Sequence, residues 1–198
     1  MSDLDHWDGR YRDDQIPWNT DQPSRELVRL VESGQVPVGS ALEFGCGYGS
    51  DALYLAAQGF AVTAVDLSPL AVSEARERAA KAGASVEFQE ADLTAGPDLG
   101  GPYDFLFDRG VYHIVRRSGL EAFLALLERV SRPGTRYLSL TGNTHETGEG
   151  GPPRVSEEEI QAELGTLFEI VDLREFRWEE SVQMKTQPLG WSVLLERR

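Results

Sequence analysis

The stretch Ala41-Leu-Glu-Phe-Gly-Cys-Gly-Tyr-Gly-Ser50 constrains this chain more than any other. A short apolar run (Ala41, Leu42, Phe44) delivers glycines at alternate positions, Gly45, Gly47 and Gly49, and a helical pattern opens at Ser50-Asp51. Strand, glycine turn and helix start together are the geometry by which α/β sheets bring backbone up to a nucleotide. Glycine is needed there because the chain turns sharply and a ligand must approach without a Cβ in the way. A pyrophosphate site reads G-x-G-x-x-G. Here the third glycine comes one place early and Glu43 precedes the first, so the turn suits a ligand carrying positive charge better than one carrying phosphates.

The segments around the turn follow an alternating plan. Before it, Trp7 and Tyr11 stand four apart, on one face of a helix, and the segment breaks at Ile16-Pro17-Trp18. Ser24 is expected to cap a second helix with Leu27, Val28, Leu30 and Val31 as its apolar stripe, ending near Gly34. The three aromatics either staple this lead-in to the core or form a lid over a pocket. After the turn, a helix runs from Ser50 to Gln58 and Gly59 stops it. Phe60–Asp66 is a buried β-run closing on an acid, placed to accept hydrogen bonds from vicinal ribose hydroxyls. Ser68 and Pro69 open a helix through Lys81.

Val86–Gln89 is a third strand, with Asp92-Leu93 in the loop beyond it, and Pro97 to Pro102 is a loop. Asp104–Phe107 is a central strand with Asp108-Arg109-Gly110 at its carboxyl end, the edge where open α/β sheets bind ligands. A helix from Ser118 to Val130 turns its Leu120, Phe123, Leu124 and Leu127 to the sheet, and Arg136–Thr141 is the next strand. Thr141 to Arg154 has no apolar residue to pack and reads as a mobile loop, either a solvated connection or a substrate-side lid. Ser156 restarts a helix. Phe168–Phe176 and Trp191–Glu196 are the last strands, with a loop or an excursion of the last hairpin between them.

With 198 residues and no linker or repeat, one domain is expected over 1–198: a lead-in of 1–37 and a ligand-binding core of 38–198. A net charge of −14 argues against nucleic acid as a partner, because neutralising phosphates needs a basic face. Cys46 is alone, so no intrachain disulfide forms, and His6, His113 and His145 have no metal-ligand spacing. Neither a signal peptide nor a membrane span is read in the chain, and the expectation is a cytoplasmic monomer or weak homodimer.

The run E-x-G-x-G-x-G (Glu43 to Gly49), Asp66-Leu67 and Asp92-Leu93 at these intervals resemble the motifs of class I S-adenosylmethionine (SAM)-dependent methyltransferases. Ile16-Pro17-Trp18 after an aromatic helix, together with Asp108-Arg109-Gly110, is similar to the thiopurine S-methyltransferase-like group, which also holds tellurite-resistance-type and halide or thiol methyltransferases. The resemblance covers nearly the whole chain. It departs from the thiopurine enzymes at the turn, Gly45-Cys46-Gly47 in place of leucine-cysteine-glycine, and at Asp66 in place of glutamate.

The resemblance implies a Rossmann-like α/β fold, a seven-stranded and mostly parallel sheet with helices on both faces and the last strand antiparallel. It implies SAM as donor and S-adenosylhomocysteine as product. Glu43, Gly45, Cys46, Gly47, Gly49, Asp66, Leu67, Leu93 and Asp108 would hold the donor, Asp92 its adenine amino group, and Arg109 would lie near its methionine end, with Tyr11 and Trp18 closing over it. The acceptor, a small molecule, would meet Trp18, Tyr112, His113 and Asn143 in an open pocket, offering a thiol, selenium or tellurium, a halide, or a heteroaromatic nitrogen, sulfur or oxygen. A soft nucleophile needs no strong base. Arg109 then only orients an anion, and His113 is a candidate base for less acidic acceptors. Two alternatives stand beside this reading. One is a regulatory protein that binds SAM without turnover and has a filled acceptor pocket. The other is a nicotinamide-dependent oxidoreductase, which shares Asp66 but needs the later glycine.

Overall fold

A computed structural model of the chain describes residues 3–198. The apolar runs become one sheet: β1 (Ser40–Phe44), β2 (Ala61–Asp66), β3 (Val86–Glu90), β4 (Phe105–Arg109), β5 (Arg136–Asn143), β6 (Arg154–Val155), β7 (Phe168–Arg177) and β8 (Leu189–Arg197). Its order is β3-β2-β1-β4-β5-β8-β7, with β6 beside the end of β5. β1 pairs in parallel with both β2 and β4, so the connections diverge to opposite sides of it. That is the switch point at which open sheets leave a crevice beyond the strand ends. β8 is antiparallel to both β5 and β7, as the resemblance implies.

The helices are α1 (Asp3–Arg12), α2 (Arg25–Glu32), α3 (Ser50–Ala57), α4 (Pro69–Ala82), α5 (Tyr112–Val115), α6 (Leu120–Val130) and α7 (Glu157–Glu163). They bury the sheet on both faces. Leu27, Leu30, Leu55 and Val72 from α2, α3 and α4 pack on Phe105, Phe107 and Leu138. Phe123, Leu127 and Ile160 from α6 and α7 pack on Leu42, Phe44 and Tyr137. Side chains of a strand alternate between faces, which is why neighbours such as Leu106 and Phe107 serve different cores.

Several boundaries differ from the sequence reading for physical reasons. The stretch expected as a loop from Thr141 begins as strand: Thr141 and Gly142 pair with Trp191 and Gly190, and Gly142 and Asn143 pair with the two-residue β6. Backbone pairing needs no apolar side chain, so hydropathy does not reveal it. The expected seven strands form the continuous sheet, and β6 adds a two-residue eighth off that path. Ser24 stands at the N-cap of α2, yet its hydroxyl makes no cap bond. Two distant carboxylates take over: the Ser24 N–H donates to Asp51 Oδ1 (2.6 Å) and the Arg25 N–H to Glu179 Oε1 (2.8 Å). In α6 the buried positions are Phe123, Leu126, Leu127 and Val130, with Leu120 and Leu124 only half-buried. A short α5 intervenes before it.

Asp108, at the end of β4, is fully buried. It accepts the N–H groups of Val111 (2.8 Å) and Tyr112 (3.0 Å) and the hydroxyl of Tyr137 (2.6 Å). Burial raises its carboxyl above the ordinary range, and these bonds oppose the rise. The carboxylate is thus committed inside the protein, where it starts α5 and ties β4 to β5. Asp108→Ala leaves several buried donors unpaired and is expected to cost about 3 kcal/mol or more, against about 1 kcal/mol for Tyr137→Phe, as read from urea unfolding midpoints.

Candidate active site at the carboxyl edge of the sheet

The glycine turn sits on the carboxyl end of β1 with Gly45, Gly47 and Gly49 all at positive φ (64°, 52° and 79°). Their open sides differ. A Cβ on Gly45 would run into Val111, and one on Gly49 would press within 3.2 Å of Ala75 and Phe88. These two glycines serve packing within the protein. A Cβ on Gly47 would meet only the Tyr11 hydroxyl, at 3.1 Å. Gly47 is therefore the glycine whose open side faces the crevice.

Asp66 at the end of β2 supports the turn from beneath. Its Oδ2 accepts the Gly47 N–H (2.8 Å) and its Oδ1 the Ser68 N–H (2.9 Å). Burial lifts its pKa, and the backbone N–H bonds pull it back. Burial also pushes the Cys46 thiol well up, helped by the charges of Asp66 and Glu43, which makes Cys46 a packed, unreactive thiol. Glu43 is buried and its Oε2 has no partner. Burial first, and then the neighbouring Asp51, raise its pKa well above the ordinary value, while Arg109 acts in the opposite sense.

Arg109 extends from β4 into the same space. Its guanidinium donates to Asp51 Oδ2 (3.4 Å), Glu179 Oε2 (3.2 Å), Thr20 Oγ1 (3.2 Å) and the Gln22 carbonyl (3.4 Å). Above it lies the strap of α1 and residues 13–24. Tyr11 packs on Tyr48 (5.4 Å between rings) and edge-on to Trp18 (6.1 Å), and Trp7 packs on Trp18 (5.4 Å). The strap is moored by Ser68 Oγ to Asp8 (2.8 Å), Arg78 to Asp21 (2.6 Å) and Ser181 Oγ to the Pro17 carbonyl (2.6 Å).

Tyr11, Trp18, Glu43, Gly45, Cys46, Gly47 and Arg109, all singled out in the sequence, line one cavity of about 50 Å³. Asn19, Thr20, Tyr48, Ser50 and Asp51 join them. Asp51 carried a faint signal as an acid in the first helical turn after the glycines. Glu179, which closes the network on Arg109, carried none, standing 70 residues away in sequence. Of the residues expected around an open acceptor pocket, Trp18 lines this cavity and Tyr112, His113 and Asn143 do not. Sites for small molecules run to roughly 300–1,000 Å³, and this cavity is smaller, with Tyr11 and Trp18 of the strap among its walls.

Other candidates lie apart from this cavity. Asp92 is exposed and caps a 3₁₀ turn through Thr94 (2.8 Å), while Leu93 is buried beneath it and Leu67 is half-buried beside Asp66. Tyr112 is buried in the opposite core, its hydroxyl on Glu163 (2.7 Å), and Glu163 also pairs with Arg116. Asn143 is buried, accepting the His145 N–H (2.7 Å) and donating to Glu175 (3.2 Å). His113 accepts the Gly142 N–H at Nδ1 (3.2 Å), which places its proton on Nε2, and lies edge-on to Trp178. Burial pushes its pKa down to about 3. Among the described residues no group of three or more metal-ligating side chains exists, and no helix is long and apolar enough to cross a membrane.

The family model for thiopurine S-methyltransferase matches residues 2–193. The chain belongs to the thiopurine S-methyltransferase family. It is 29% identical over 160 residues to the 2-heptyl-1-hydroxyquinolin-4(1H)-one methyltransferase of Mycobacteroides abscessus, covering 79% of this chain and 70% of that one. It is 26% identical over 171 residues to the probable thiol methyltransferase 2 of Arabidopsis thaliana, covering 84% and 75%. A structure from work on the conversion of a disulfide bond into a thioacetal group during echinomycin biosynthesis superposes with a TM-score of 0.86 at 25% identity, covering 98% of this chain and 91% of that one.

As a member, the chain is a SAM-dependent methyltransferase acting on a small molecule. The residues present fit the donor. Glu43 offers an unpartnered buried oxygen to an ammonium group, and Gly47 presents backbone without a side chain. Asp66 keeps lone pairs beyond the backbone N–H bonds it accepts, and Arg109 matches a carboxylate.

The depressed His113 pKa has a consequence for stability. Between the ordinary imidazole value near 6.5 and about 3, the unfolded chain takes a proton that the folded chain refuses. Stability contributed at this site therefore falls as the pH drops through that window, by about 1.4 kcal/mol per unit. His113→Gln keeps an acceptor for the Gly142 N–H but does not titrate. Between pH 7 and pH 5 the native chain should lose about 2 kcal/mol more than this variant in chemical denaturation.

Proposed function

We propose that the chain moves the methyl group of SAM to a soft heteroatom of a small organic molecule, a thiol or a heteroaromatic nitrogen, oxygen or sulfur, with selenium, tellurium and halide acceptors as further members of the class. One observation carries the reading: the unpartnered Glu43 Oε2 and the Arg109 guanidinium line the same cavity beside the bare backbone of Gly47. Opposite charges are thereby offered to the two ends of an amino acid group, next to an aspartate suited to a ribose. The relatives support the acceptor class, since their names speak of a hydroxyquinolone and of a thiol as what they methylate.

When bound, SAM supplies a methyl group already activated by its own sulfonium. The protein's part is then to bind, orient and exclude water. Holding two reactants in line contributes on the order of 7–11 kcal/mol in favourable cases. Asp66 holds the turn and offers oxygens to the sugar, Glu43 and Asp51 make the floor attractive to a cation, and Arg109 orients a carboxylate. Trp18 and Tyr11 exclude water as the strap lies over the site. No side chain is assigned as a base, because the Nδ1 lone pair of His113 is already spent on the Gly142 N–H. A nicotinamide cofactor fits neither the family nor the early third glycine.

A second reading, SAM binding without turnover, draws on the small cavity of about 50 Å³. Two of the rings that wall it, Tyr11 and Trp18, belong to the strap rather than to the sheet, which favours an enzyme whose strap shifts to admit ligand. Release of S-adenosylhomocysteine from SAM across a panel of aryl thiols, N-hydroxyquinolones and halides decides between the two. Turnover with at least one panel member is expected, and binding of SAM with no turnover would favour the second reading. Glu43→Gln keeps the shape of the side chain while removing a buried carboxyl crowded by Asp51 and Asp66. It should weaken SAM binding about tenfold in calorimetry while leaving the melting temperature equal or higher. Unchanged affinity would remove Glu43 from the site.

A further inference from the structure

The bonds of Arg109 are longer than those of Arg116 and Arg78, two other half-buried arginines that meet a pair of carboxylates each. All four of its contacts measure 3.2–3.4 Å. Arg116 reaches Glu159 at 2.7 Å and Glu163 at 2.9 Å, and Arg78 reaches Asp21 at 2.6 Å and Glu74 at 2.8 Å. Charge-assisted bonds ordinarily fall at 2.7–2.9 Å. The Arg109 guanidinium is thus shared among several partners and closely paired with none.

Two of those partners are carboxylates, and they are held differently. Asp51 belongs to the first turn of α3 and accepts the Ser24 N–H at 2.6 Å. Glu179 belongs to the irregular segment 178–188 between β7 and β8. Its Oε1 accepts the Arg25 N–H at 2.8 Å while its Oε2 reaches Arg109 at 3.2 Å. The same segment is tied to the strap by Ser181 on the Pro17 carbonyl and by Gln183 on the Asp14 carbonyl. Two buried carboxylates already face one guanidinium, so a third arriving with a ligand would leave excess negative charge in a dry site, which is costly. Withdrawal of one resident relieves this, and Glu179, on an irregular segment while Asp51 is fixed in the first turn of α3, is the one placed to move.

We propose that Glu179 is an internal stand-in for a ligand carboxylate. It occupies Arg109 in the free chain and yields it when the carboxylate end of the donor enters, loosening segment 178–188 and the strap together. The inference rests on the donor reading above and makes Glu179 a positioning residue acting through Arg109.

The test is calorimetric titration of S-adenosylhomocysteine, and separately of 5′-methylthioadenosine, into the native chain and into Glu179→Gln. 5′-Methylthioadenosine keeps the nucleoside and thioether but lacks the amino acid end. The glutamine retains an oxygen for the Arg25 N–H while removing the competing charge. S-Adenosylhomocysteine is expected to bind the variant about tenfold tighter, because less of the arginine is pre-empted, while 5′-methylthioadenosine changes less than about twofold. Equal gains for both ligands would show general loosening of the strap and overturn the proposal, as would unchanged or weaker binding of S-adenosylhomocysteine. A native chain that binds neither ligand overturns the donor reading itself, and this proposal with it. Ser181→Ala, which loosens the strap without touching Arg109, should shift both ligands alike. Should Glu179→Gln not fold, Glu179→Asp draws the carboxylate back by one methylene and must show the same preference for S-adenosylhomocysteine.

Discussion

One guanidinium at the end of β4 holds together segments that the sheet alone leaves apart. Arg109 meets Thr20 and Gln22 of the strap, Asp51 of α3 and Glu179 of the segment before β8. The same two carboxylates satisfy the first N–H groups of α2. Buried ion pairs are poor sources of net stability, since desolvation offsets most of the attraction. What this network supplies is register: the strap, α2 and the last hairpin are each positioned against the crevice through a group that lines it. Removal of any one member leaves a charge or a backbone donor stranded, so the parts are held together or released together.

The strap gives the crevice its other property. Tyr11 lies on Gly47, the turn glycine whose open side is not occupied by protein packing. Burial, with the charge of Asp66 below, raises the phenol's pKa well above its ordinary value, so it stays neutral over an acidic floor. A neutral aromatic cap over buried carboxylates suits a cationic guest, because the ring faces add to the attraction of the acids. The strap's anchors are hydrogen bonds and ion pairs at its margin, together with the buried Ile16.

Polar residues at the functional edge of a sheet divide between the ligand and the protein. Asp108 and His113 look equally suited to chemistry by position. Asp108 instead organises α5 and β5, and His113 accepts a backbone N–H from β5. Both stand behind the strand end that presents Arg109, so they stiffen the wall from which it reaches into the crevice. Tyr112, adjacent in sequence, points into the other core and anchors to Glu163 on α7. The polar groups behind the strand end are thus bonded within the protein, and Arg109 is the one that reaches the crevice.

Much was legible from residues close together in the chain. The alternation of apolar runs and capped helices gave the layered sheet, and the three glycines with Glu43 and Asp66 located the crevice. The four-residue spacing of Trp7 and Tyr11 put both on one helical face, where each packs on Trp18. These features depend on local backbone preference and on period, which neighbouring residues encode. The short β6, the missing Ser24 cap bond, the depth at which Asp108 and Tyr112 are buried, and the role of Glu179 were not legible. Backbone pairing leaves no trace in hydropathy, and a helix end can be satisfied by any carboxylate the fold brings near. Sequence by itself determined the order of strands and helices and the glycine turn at the end of β1; only the tertiary structure decided which charges share Arg109, because pairing across 70 residues is set by how the sheet closes and not by any local pattern.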